Sequence, residues 1–249
     1  MDRVTVRLYG DLADLAWGAD RSGEAQVPAP SPRSVKDAIE SLGVPHTEVD
    51  LVLVNGDSVG FDHLVVGGDR VSVYPHFADL DVPSAVRPPP VEPPRFVLDV
   101  HLGRLAERLR LLGFDTLYSR DLDDADLAAL SVAGPRWLLT RDRGLLMRRV
   151  ITHGYLVRST DPTEQVHEVV RRFGLADAIA QLTRCARCNG LLHAVDKAEI
   201  IDRLQPGTAA EHHVFTRCEG CGQLYWPGSH RGALQAFVDE VRGGAERSV

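Results

Sequence analysis

The sequence predicts an α/β protein of three folding segments, the largest being a parallel sheet with helices on both faces. Three observations lead there. Five prolines crowd residues 84–95 ("SAVRPPPVEPPR"), a composition that favours extended backbone and opposes both helix and central strand. After them, strand-like and helix-like stretches alternate four times, the pattern of βα units with parallel strands. All four cysteines then fall beyond residue 184, as two Cys-x-x-Cys pairs.

The first segment, residues 1–78, is a small α+β unit. "VTVRLYG" alternates with period two, "SVKDAIESLGV" is helical and ends at Gly43, "VDLVLVNGDSV" is a strand running into an Asn-Gly turn, and "DRVSVYPHF" is another strand. This β–α–β–β order resembles the ubiquitin-like β-grasp fold, especially sulfur carriers of the MoaD and ThiS type. Those carriers end in a free Gly-Gly tail. Here the equivalent strand runs through Tyr74, Pro75 and Phe77 into the proline-rich linker at 79–94. The resemblance therefore implies the fold, with packing or a protein partner rather than carrier chemistry.

Residues 95–183 carry the alternation. "RFVLD" is a short apolar strand, and "LGRLAERLRLLG" sets Leu102, Leu105, Leu109 and Leu112 on one helical stripe, with Gly113 placed for a C-cap. "FDTLYS" is a strand and "DADLAALSVAG" a helix; "RWLLTRD" is a strand and "RGLLMRRVITHG" a helix. "YLVRST" is the fourth strand. "PTEQVHEVVRRFG" follows with Val166, Val169, Val170 and Phe173 at helical spacing after Pro162.

In the last segment, residues 184–249, Cys185-x₂-Cys188 and Cys218-x₂-Cys221 form two matching knuckles 29 residues apart. Two such turns supply the four thiolates of a tetrahedral, structural Zn²⁺ site. With all four positions filled, no open coordination position remains for catalysis. Glycine shortly after each second cysteine eases the turn, and "GALQAFVDEV" reads as a closing helix. Tyr225 and Trp226, with His230 and Arg231, can stack on RNA or pack the ribbon against its neighbour.

Net charge is −7, but it is unevenly spread. Twelve acids against six Lys or Arg leave residues 1–78 at −6, whereas residues 95–183 hold thirteen arginines against twelve acids. An acidic whole thus leaves room for a basic face. No run approaches the ~18 apolar residues of a membrane span, and the N-terminus lacks a signal peptide's apolar core. The expectation is a cytoplasmic protein with no membrane partner.

Ligands of open parallel sheets bind beyond the carboxyl ends of the strands. Asp99 closes "FVLD" and Asp142 follows "WLLT"; Asp123, Asp124 and Asp126 open the helix after the second strand, and Asp161 follows the fourth. Asp is also a favoured N-cap, so Asp126 and Asp142 read equally as caps. Converging, these carboxylates would need a cation, and oxygen donors suit Mg²⁺ or Mn²⁺. "FVLDVHLGRLAERLRLLGFDTLYSRD", "LLTRDRGLL", "TRCARCNGLL" and "TRCEGCGQLYWPGSH" together resemble the Mut-seven C-terminal RNase family, a PIN-like nuclease fold with a zinc ribbon, some of whose members carry an N-terminal ubiquitin-like domain. The resemblance spans about residues 95–231. It implies nuclease acids at Asp99 and Asp142, with Asp126 as the helix acid, Asp123 and Asp124 as alternatives, and Asp161 as a weaker fourth.

Arg104 and Arg108, four apart on the face opposite the leucine stripe, could grip phosphates with Arg141 and Arg143, or pair with Glu107 on a solvated face. His101 reads as a bystander. The expected function is Mg²⁺- or Mn²⁺-dependent endonucleolytic hydrolysis of RNA, with tRNA, rRNA or ribosome-associated RNA as target classes. RNA rather than DNA is implied by the resemblance alone. The alternatives are an RNA- or ribonucleoprotein-binding module with weak or lost cleavage, and an adaptor built on the β-grasp unit.

Overall fold

Alternation in "RVTVRL" buries Val4, Val6 and Leu8 on one face of the strand Arg3–Leu8. That strand lies inside a five-stranded sheet ordered Glu24–Pro28, Arg3–Leu8, Arg70–Pro75, Val49–Val54, Asp57–Ser58. It runs parallel to Arg70–Pro75 and antiparallel to Glu24–Pro28, while Val49–Val54 pairs antiparallel with Arg70–Pro75. The helix Val35–Glu40 starts where the Ser34 hydroxyl accepts from the Asp37 amide, and it buries Val35, Ala38 and Ile39. This is the expected β-grasp arrangement with two further strands in the sheet, Glu24–Pro28 and Asp57–Ser58. Glu24–Pro28 escapes the sequence reading because Pro28 and Pro30 look like loop. At the sheet edge, paired only with Arg3–Leu8, a terminal proline is tolerated.

The computed structural model describes residues 2–77, 82–228 and 231–246. The boundary expected between residues 78 and 79, and His230 and the Arg231 side chain, lie outside the described residues. The chain divides into two compact units: Met1–Val91 with Asp124–Leu156, and Glu92–Asp123 with Val157–Val249.

In the first unit, the helix Asp124–Ala133 leads into the strand Trp137–Thr140, which pairs in parallel with Gly154–Leu156. The helix expected across 143–154 is a single turn, Arg143–Leu146. The β-branched run Val150-Ile151-Thr152 disfavours its continuation. Polar groups tie this segment to the helical turns of the β-grasp segment. Buried Glu48 accepts the Leu156 amide at 2.7 Å, His46 links Glu40 Oε1 (2.7 Å) to the Ile151 carbonyl (2.8 Å), and Arg143 Nη1 donates to the Leu15 carbonyl at 2.7 Å. The proline-rich stretch is likewise anchored. The Ser84 hydroxyl donates to the Asp50 carbonyl, Arg87 Nε pairs with the Asp50 carboxylate at 3.3 Å, and His153 Nε2 meets the Pro89 carbonyl at 2.7 Å.

In the second unit, Phe96–Leu98 pairs in parallel with Thr116–Leu117, joined by the helix Gly103–Leu111. Leu102, Leu105, Leu109 and Leu112 are fully buried, as their stripe predicts, and Gly113 takes φ 98° in the C-cap turn. The helix Pro162–Arg172 buries Val166, Val169 and Val170, and the helix Arg231–Glu246 packs on it, with Val238 and Val241 buried. The cysteine segment forms a three-stranded antiparallel sheet, Leu192–Val195, Phe215–Cys218 and Leu224–Tyr225. Both units thus hold parallel strands flanked by helices. Among the described residues, no helix is long and apolar enough to cross a membrane.

Replacing Glu48 by Ala strands the buried Leu156 amide, so urea unfolding is expected to show a loss of about 2 kcal/mol. Glu48→Gln keeps an oxygen acceptor and is expected to retain most of that stability.

Candidate functional site

The structure brings together all four cysteines: one ligand atom from each lies within 4.8 Å of every other. Sγ–Sγ distances are 3.6 Å for Cys185–Cys221 and 3.4 Å for Cys188–Cys218. A tetrahedron of Zn–S bonds of about 2.3 Å has edges of about 3.8 Å, so the donor set fits zinc in both chemistry and size. Each knuckle closes on its own backbone, with the Asn189 amide donating to the Cys185 carbonyl and the Gly222 amide to the Cys218 carbonyl. The residue after each second cysteine turns left-handed. In the second knuckle that residue is Gly222 (φ 70°), but in the first it is Asn189 (φ 71°), not the glycine that follows. Gly190 serves another need. A Cβ there would sit 2.9 Å from Cys218 Sγ, so a side chain would intrude on the thiolates.

Four thiols in one place cannot all ionise without a cation. Burial opposes the Cys185 thiolate, yet hydrogen bonds from the Tyr225 hydroxyl and the Cys188 and Arg187 amides outweigh it and lower its pKa to about 7. Cys188, with burial dominant, is pushed up to about 12. Tyr225 therefore packs the ribbon. Its hydroxyl lies 3.2 Å from Cys185 Sγ and accepts from the Ala186 amide. Trp226 stays 40% exposed.

The first knuckle is fastened to the strand Thr116–Leu117. Arg110, 4% exposed, donates Nε to the Thr116 carbonyl (2.9 Å) and Nη1 to the Ala186 and Arg187 carbonyls (3.1 Å each). Burial lowers its pKa, opposed by attraction to Cys188 and Cys185. Asn189 Oδ1 accepts the Thr116 amide at 2.9 Å, its Nδ2 donates to Asp115 at 2.8 Å, and Arg184 pairs with Asp115 at 3.5 Å. The sequence reading passed over Arg110. The available signal was an arginine next to Leu109 inside an apolar stripe.

The acids are distributed over both units. In the second unit, Asp99 ends the strand Phe96–Leu98 at 7% exposure, and its side chain caps no amide of the following turn. Asp161 caps Pro162–Arg172, with Oδ1 accepting from Thr163 (2.8 Å) and Glu164 (3.1 Å); the bonds from the Glu164 and Thr163 amides hold its carboxyl below the ordinary value. In the first unit, Asp142 caps Arg143–Leu146, and both bonds, from Gly144 (2.7 Å) and Leu145 (3.4 Å), fall on Oδ1. Among the described residues nothing bonds its Oδ2, so cap and ligand roles use different oxygens. Asp126 is exposed in the first turn of Asp124–Ala133, and Asp124 pairs with Arg148 at 3.2 Å. Exposed Asp123 immediately precedes that helix.

The arginines differ in how far they are committed. Arg143 gives Nη1 to Leu15 and, at 3.4 Å, Gly43. Arg108 donates to Thr163 Oγ1 at 2.8 Å and lies 5.6 Å from the Phe237 ring. Arg104 and Arg141 are exposed, and no described residue bonds them.

The family model for the Mut7-C RNAse domain matches residues 94–238. The chain belongs to the Mut7-C RNAse domain family. A second family model, Mut7-C ubiquitin, matches residues 1–81, where the β-grasp sheet lies. Among solved structures, the crystal structure of H. volcanii small archaeal modifier protein 1 is similar over 30% of this chain and 98% of its own, with 20% identity and a TM-score of 0.26. No curated protein matches the chain. For this Mut7-C chain the cysteine cluster fits a structural zinc, and membership of an RNAse domain family indicates a nuclease.

Metal analysis is expected to find one zinc per chain, lost in Cys185→Ser and Cys218→Ser and weakened in Gly190→Ala. Because a thiol as weakly acidic as Cys188 must shed its proton to bind metal, chelator is expected to strip zinc faster at pH 6 than at pH 8. Arg110→Leu leaves buried carbonyls without a donor, and chemical denaturation is expected to show a cost of about 3 kcal/mol.

Proposed function

We propose that this Mut7-C protein is a metal-dependent endoribonuclease in which Asp99, Asp126 and Asp142 hold Mg²⁺ or Mn²⁺. The observation that carries this is Asp99. It is a carboxylate at 7% exposure that closes an apolar strand, the place where a parallel sheet presents ligand groups. An oxygen-only donor set suits these ions, which when bound neutralise phosphate charge and activate water. Asp142 keeps its loop in place through Oδ1 and offers Oδ2. Arg104 and Arg141 hold backbone phosphates, supported by Arg108, while Arg143 fixes the loop that carries Asp142. Asp124, paired with Arg148, and Asp161, engaged as a cap, are secondary candidates.

The zinc ribbon keeps the Asp99 strand in place, and the β-grasp unit recruits a protein partner. The substrate is cellular RNA of the tRNA, rRNA or ribosome-associated classes, encountered in the cytoplasm. Incubated with mixed RNAs and Mn²⁺, the wild type is expected to cleave, and Asp99→Asn and Asp142→Asn to lose about a hundredfold or more of the rate with zinc content unchanged. Cleavage persisting in both variants would sink the site. Salt-sensitive RNA binding without cleavage would favour a binding module instead.

A further inference from the structure

The turn after Asp99 opens into a cavity of about 430 Å³, walled in part by His101, Arg104, Tyr118, Arg120 and Thr160. That volume is in the range that encloses a small ligand. Two arginines, Arg104 and Arg120, line it against one acid, Glu107. Of the three arginines on the helix Gly103–Leu111, Arg108 and Arg110 spend donors on Thr163, Thr116, Ala186 and Arg187. Among the described residues no hydrogen bond or ion pair engages the side chain of Arg104 or Arg120, so their guanidinium donors are available to a ligand. Guanidinium forks suit phosphate oxygens, which accept two parallel bonds.

The aromatic wall is held in place. The Tyr118 hydroxyl donates to the Val100 carbonyl at 3.0 Å, and a Cβ on residue 103 would come within 2.6 Å of that oxygen. Glycine at 103 is what lets the ring sit so close to the helix. Phosphate-gripping arginines beside a fixed aromatic ring are the two elements that hold one nucleotide of a single strand, phosphate on the cations and base on the ring.

We propose that this cavity is a mononucleotide subsite, which takes one nucleotide of the RNA chain with its phosphate on Arg104 and Arg120 and its base on Tyr118. His101, which reads as a bystander in the sequence, lines the same space. The identity of the polymer rests on the nuclease reading; binding of a single nucleotide does not.

The test is calorimetric titration of the zinc-loaded full chain with adenosine 5′-monophosphate, adenosine and inorganic phosphate, none of which the proposed hydrolysis consumes. Adenosine monophosphate is expected to bind more tightly than either fragment. Arg104→Ala and Arg120→Ala are each expected to weaken it about tenfold, and Tyr118→Leu to lower affinity for adenosine as well. Melting temperatures of the two exposed-arginine variants serve as the fold control. No binding of the monophosphate, or binding unchanged in an Arg104→Ala/Arg120→Ala double variant, overturns the subsite, even if wild type cleaves RNA. Binding lost in that variant by a protein that cleaves no RNA upholds the subsite while retiring the nuclease reading.

Discussion

The buried guanidinium of Arg110 is the constraint on which the second unit depends. One side chain satisfies carbonyls on both the strand Thr116–Leu117 and the first cysteine knuckle. A buried cation is costly unless it is bonded and its charge is matched. Here the match comes from Cys185 and Cys188, whose negative charge, when they are ionised as metal ligands, opposes the effect of burial. The relation is reciprocal, because a zinc bound by four thiolates carries net negative charge that a nearby arginine compensates. The ribbon's own apolar core is little more than Ile200, Phe215 and Leu224. Metal and arginine together supply what that core lacks.

A physical path runs from that centre to the candidate site. Asn189 and Arg110 fix Thr116, the strand at Thr116 pairs with Phe96–Leu98, and the latter ends on Asp99. The zinc ribbon is thereby a support for the strand that presents the carboxylate. In the other unit, Arg143 plays a comparable part. By donating to Leu15 and Gly43 it joins the loops of the β-grasp segment to the short helix that Asp142 caps. Asp99 and Asp142, two of the three proposed ligands, therefore each sit on a segment braced by residues distant in the chain.

Much of this was legible in the sequence, for identifiable reasons. The leucine stripe at 102–112, the helix that starts at Pro162, and the two knuckles follow from periodicity and local chemistry, and all are present in the structure. What escaped was set by tertiary contacts. The edge strand Glu24–Pro28 is hidden by prolines that only an edge tolerates, and the helix after Asp142 stops after one turn. Nothing local in the proline-rich stretch reveals that Asp50 and His153 anchor it. Arg143 and Arg110 were invisible as braces because their partners are backbone carbonyls far away in the chain. At Asp142 the sequence offered cap or ligand as alternatives, and the geometry leaves room for both on one carboxylate.

The most direct test of the account is a Mn²⁺ titration of the zinc-loaded protein, followed by electron paramagnetic resonance, in wild type and in Asp99→Asn. Specific Mn²⁺ binding is expected in the wild type and is expected to be lost in the variant, with the zinc and the fold retained. Mn²⁺ bound equally by both proteins would contradict it.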